Sequence, residues 1–139
     1  PRNPLVTPTH MHDYLQGWRW PRQFASAATV FEAGNFQATA SQCISVAPAL
    51  GHFFRRVVMP TGLHNLAVSS LVQCCVVMEL LVGATRGAVS VGKLGAAVYQ
   101  HLEGHIRAHG GEWWVLKHHL AMHIPIMMKN CTNLGVLCS

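Results

Sequence analysis

Apolar residues recur at helical spacing along much of this chain, most clearly over residues 63–82. Leu63, Leu66, Ala67, Leu71, Cys74, Cys75, Met78, Leu81 and Val82 share one side, with Asn65, Ser69, Gln73 and Glu79 on the other. That pattern predicts an amphipathic helix, and Gly83 fits its end. A second stripe, Leu94, Val98, Leu102 and Ile106, predicts a helix over 93–109 that Gly110-Gly111 closes. A third is predicted over 112–124, stopped near Pro125. Upstream the signals are shorter. Residues 22–33 carry Phe24, Ala27, Ala28 and Phe31 on one side and predict a short helix, broken at Ala33-Gly34-Asn35. Residues 37–47 are mildly helical, Pro48 interrupts, and 49–58 resume before a stop at Pro60-Thr61-Gly62. Three prolines in the first ten residues predict an extended arm, which Trp18-Arg19-Trp20-Pro21 anchors to the body. The expected organisation is an extended arm over 1–21 and one helical domain over 22–139. The fold class is mostly α, an irregular bundle of five or six helices. No internal repeat is visible.

Composition adds a second constraint. Half of the 139 residues are hydrophobic and 11% are charged, against about 25% charged in an average domain. A surface so poor in charge is expected to be covered by something, such as a partner subunit or a lipid. The segments 33–54 and 57–78 contain no Asp, Glu, Lys or Arg. Their prolines and polar residues suit a packed or interfacial helix better than a lipid-facing span, which needs about 20 predominantly apolar residues. The net charge is +5, but the basic residues are scattered and only Arg55-Arg56 adjoin. A nucleic-acid footprint normally clusters its cations. Five cysteines in no C-x-x-C pair suggest reduced thiols, hence a reduced intracellular or organellar compartment.

Histidine is the one residue type with chemical promise. His101, His105 and His109 repeat at i, i+4, i+8, on one side of the 93–109 helix. His101 and His105 are therefore the candidate cofactor ligands. His118, His119 and His123 follow, and the i, i+4 pair His119/His123 is the candidate metal site. Zinc or a tetrapyrrole such as chlorophyll is the cofactor chemistry these imidazoles suit. Structural histidines hydrogen-bonded to backbone are the alternative at each position. Catalysis is not expected. The five acids, Asp13, Glu32, Glu79, Glu103 and Glu112, are widely spaced, and neither a nucleophile elbow nor a phosphate loop is present. Glu103 and Arg107 read as a surface i, i+4 pair.

Lys117-His118-His119 followed by His123-Ile124-Pro125 resembles a histidine signature of transposase-like proteins, which belong to DNA transposons with a ribonuclease-H-like catalytic core. Trp18-Arg19-Trp20-Pro21, Ala38-Thr39-Ala40-Ser41 and Thr85-Arg86-Gly87-Ala88-Val89 look like the same family's helical region, so the similarity spans roughly residues 18–139. It implies a catalytic carboxylate shortly after the histidines. No Asp or Glu follows Glu112, so the resemblance implies a non-catalytic helical fragment.

The expectation is a non-enzymatic accessory or scaffolding subunit of a larger, membrane-associated or soluble assembly. Its partners would be other protein subunits, and its packing anchors Trp18, Trp20, Leu66, Leu71, Met78, Leu102 and Trp113. Two alternatives stand beside it: a transposase-derived module contacting DNA or a partner chain, and a helical cofactor-binding subunit.

Overall fold

The computed structural model describes residues 7–31, 36–113 and 116–135. The chain is 80% helical, with six α-helices and no strand among the described residues, as the mostly-α expectation had it. The helices are α1 (Pro8–Gln16), α2 (Ala40–Phe53), α3 (Asn65–Thr85), α4 (Val91–His109), α5 (Leu116–Ala121) and α6 (Ile124–Gly135). A 3-10 helix, Arg22–Thr29, links the region of α1 to α2.

Where the expected arm should still be extended, α1 has begun. Thr7 accepts a hydrogen bond from the His10 amide and Pro8 occupies the first turn. A proline there costs nothing, because its missing N–H would be unsatisfied anyway. Pro48 likewise does not interrupt. The helix α2 starts with a reciprocal capping box between Thr39 and Gln42 and runs through Pro48 to Phe53. It then loosens into a π turn over Phe54–Val58. The Pro60-Thr61-Gly62 stop is real: Gly62 (φ 72) and His64 (φ 51) turn the chain into α3.

The core has two parts, and α3 lies between them. The first gathers Leu15, Ala27, Val30, Phe31, Val46, Ala47, Leu50, Phe53, Phe54 and Val58 around Val68 and Cys75 of α3. Here α2 crosses closely, because a Cβ on Gly51 would lie 3.2 Å from Cys75 Cβ. The expected Trp anchor belongs to this part. Trp20 Nε1 donates to the Leu15 carbonyl (2.8 Å), and Trp18 packs on Tyr14, Trp20 and His52. The second part is smaller: Ala84, Leu94, Val98 and Leu102, with Leu80, Leu81, Met122, Ile124 and Met128 packed around them. On this side α4 approaches α3 at Gly104, where a Cβ would collide with the Gln73 amide.

Two expectations about packing fail. The stripe assigned to α3 is only partly its buried face: Cys75 is buried and Met78 and Leu81 pack against the two cores, but Leu63, Leu66 and Leu71 are 44%, 54% and 39% exposed, whereas Val68, Ser70 and Ala84, outside the stripe, are buried. Apolar residues surround α3, so periodicity does not select one face. And Pro125 does not end a helix. The third helix divides into a 3-10 turn (Gly111–Trp113), α5 and α6, with Pro125 in the first turn of α6. The side chain of Trp113 lies outside the described residues.

Candidate functional site

The histidine row of α4 forms as expected. His101, His105 and His109 occupy successive turns, with ring centroids 6.3 Å and 4.8 Å apart. What the sequence did not reveal is that α5 folds back on this row. His118 sits on His105 with 4.3 Å between centroids and 31° between ring planes. Residues 105 and 118 are equally far in sequence from the Gly111-Glu112 turn. A helix that reverses there brings them side by side, and that symmetry was the available signal.

His101 also ties α4 to α3. Its Nδ1–H donates to the Ser70 carbonyl (3.2 Å) across 31 residues, which fixes the tautomer, since a carbonyl only accepts. Burial holds the His101 pKa below its ordinary value, and the nearby His105 and His118 depress it further, against the opposing effect of the Ser70 bond.

The His119/His123 pair does not share a helix. The helix α5 ends at Ala121, and the His123 amide bonds the Leu120 carbonyl in a turn (3.0 Å), so helical i, i+4 spacing is lost. His123 is exposed, and the side chain of His119 lies outside the described residues. Among the described residues no group of three or more His, Cys, Asp or Glu side chains is arranged to hold a metal ion.

A second feature lies on the opposite side of α3. A half-open cavity of about 290 Å³ is lined only by apolar side chains and thiols, among them Phe31, Phe36, Cys43, Leu50, Leu71 and Met78. Phe36 and Leu71 are 47% and 39% exposed. Cys43, Cys74 and Cys75 are free thiols. Burial pushes Cys75 up to about 12, with the neighbouring Cys74 and Glu79 adding to the rise. Burial and then Cys43 raise Cys74. Thiols so held are poor nucleophiles. The ion pair expected between Glu103 and Arg107 is absent; Arg55 pairs instead with Glu79 (3.6 Å), joining α3 to the turn after α2.

Comparison with protein-family models, curated proteins and solved structures finds no match for this chain.

Proposed function

We propose that this protein is a non-enzymatic scaffolding subunit that joins a larger protein assembly through the outward side of α3. One observation carries the reading. The helix α3 has a mean hydropathy of 2.0 over its most apolar 18-residue stretch, yet 17% of that stretch is buried inside the fold. The core helix of an isolated soluble domain hides most of such a surface. Here Leu66 and Leu71 of α3 remain exposed, as do Met59 (40%) and Leu63 in the turn that leads into it and Phe36 (47%) before α2. A partner subunit that covered this face would remove its apolar area from water, at about 25 cal/mol per Å² before the costs of association. Polar residues also stud the helix, Ser69, Gln73 and Glu79 among them. They suit a protein-facing helix better than one facing lipid.

The test is the native mass of the chain in extracts of its source cells. The expected result is migration well above the 15.2 kDa of the chain, with the Leu63→Glu/Leu66→Glu variant displaced to the monomer position. Wild-type protein running as a free monomer would overturn the reading. Wild-type protein sedimenting with membranes and resisting alkaline extraction would replace it with a membrane-spanning one.

A further inference from the structure

We propose that the apolar cavity between α2 and α3 binds one single-chain amphiphile, taking its hydrocarbon chain into the first core and leaving its polar end in solvent. The cavity, about 290 Å³, exposes no nitrogen or oxygen atom on its wall. A water molecule held inside a protein needs about two to four polar partners, so water is held poorly here. A hydrocarbon forgoes no hydrogen bond in such surroundings and gains by leaving water. Burial pushes the Cys75 thiol up to about 12, so that part of the wall carries no charge.

Shape selects a chain over a ring. Cys43, Val46, Ala47 and Leu50 line the cavity from one face of α2, at i, i+3, i+4 and i+7. Leu71, Cys75 and Met78 line it from α3, at i, i+4 and i+7. Each set spans two turns, about 10 Å along its helix. The space is therefore a slot between two helices, longer than it is wide. Its volume is roughly twice that of an apolar cavity that takes up one benzene. At Gly51 the helices already touch, since a Cβ there would lie 3.2 Å from Cys75 Cβ. The slot beside that contact cannot close by a further approach of α2 to α3.

One end is shut and the other open. Val46, Ala47 and Cys75 are each 1% exposed and form the floor. Phe36 and Leu71 reach the surface, and the Phe36 ring lies 5.2 Å from that of the buried Phe31. Met11 and Met78 complete the wall. Their unbranched side chains adapt to the contour of a guest. The site goes beyond the assembly reading, because its floor lies within the first core rather than on the exposed side of α3.

The experiment titrates the full chain with straight-chain carboxylates from butanoate to tetradecanoate, followed by NMR of the protein methyl groups. The head group is constant, so only chain length varies. Binding should saturate at one molecule per chain. Affinity should rise about fourfold per added methylene, then level off between octanoate and dodecanoate as the chain outgrows the slot. Decan-1-ol, which is uncharged, should bind comparably to decanoate. Ala47→Phe places a ring in the slot and should weaken decanoate binding by about tenfold or more. Cys43→Phe does the same about one turn earlier, should the first variant misfold. Leu120→Ser, at an exposed position on α5, should bind as wild type. Absence of saturable binding overturns the proposal. So does affinity that climbs with chain length without levelling, undiminished affinity in both filled variants, failure of decan-1-ol to bind, or naphthalene binding more tightly than decan-1-ol. Sedimentation with phosphatidylcholine vesicles, without binding of the free carboxylates, would assign the apolar wall to a membrane and overturn it too.

Discussion

The two halves of the core differ in how they are closed. The first is sealed by aromatic side chains and long-range bonds. Phe31, Phe53 and Phe54 are buried, Trp20 Nε1 bonds the Leu15 carbonyl, and Gln16 donates to the Ala28 carbonyl (3.2 Å). The second has four buried residues among those described, and the side chains packed around them are aliphatic or methionine, Leu80, Leu81, Val89, Met122, Ile124 and Met128 among them. Both rest on α3, which serves each with a different face. The contrast also extends to the polar groups each half carries: the first holds Tyr14 and the buried Cys75 thiol, whereas the histidine row of α4 runs beside the second.

Cutting into the larger core should have the largest effect. Phe53→Ala removes a side chain that is 3% exposed and should cost about 3–5 kcal/mol, read by chemical denaturation. Leu94→Ala, at 0% exposure in the smaller core, should cost about 2–4 kcal/mol. It should also speed exchange in α4, α5 and α6 before α1 and α2; equal acceleration in both halves would show that they unfold as one unit. An effect below either deletion is expected from acid. The folded pKa of His101 lies under its unfolded value of 6.5, so its contribution is intact above that pH and is lost as pH falls through the interval below it. Denaturation midpoints should therefore drop between pH 7 and pH 5 in wild type and less so in His101→Gln. Thr39→Ala breaks the capping box of α2 and should cost about 1 kcal/mol. Smallest of all, Glu79→Gln removes an ion pair whose side chains are 47% and 39% exposed, and its thermal midpoint should move by the equivalent of roughly 0.5 kcal/mol or less.

The helices α3 and α4 were legible because their boundaries carry strong local signals: Gly62 before one, Gly110 after the other, and a clean Leu94-Val98-Leu102 stripe between. The short α1 was obscured by its prolines, which suggest an extended arm until Thr7 is recognised as a cap. The break between α5 and α6 was obscured by Pro125, equally at home after one helix or inside the first turn of the next. Of the candidate site, the spacing within α4 was visible and its partner was not. Neighbours on one helix follow from 100° per residue, but the neighbour of His105 depends on where the chain reverses.

The sequence by itself therefore determined a helical protein, low in charge, with three histidines on one side of its fourth helix. Helical propensity, capping and periodicity are local properties, and each is written within a few residues. Only the tertiary structure decided that α3 would be shared between two cores, that Leu63, Leu66 and Leu71 would be exposed, and that His118 would meet the row on α4. A helix apolar on every side can satisfy burial in several orientations. Which one it takes depends on close approaches at Gly51 and Gly104, contacts between segments that no local pattern encodes.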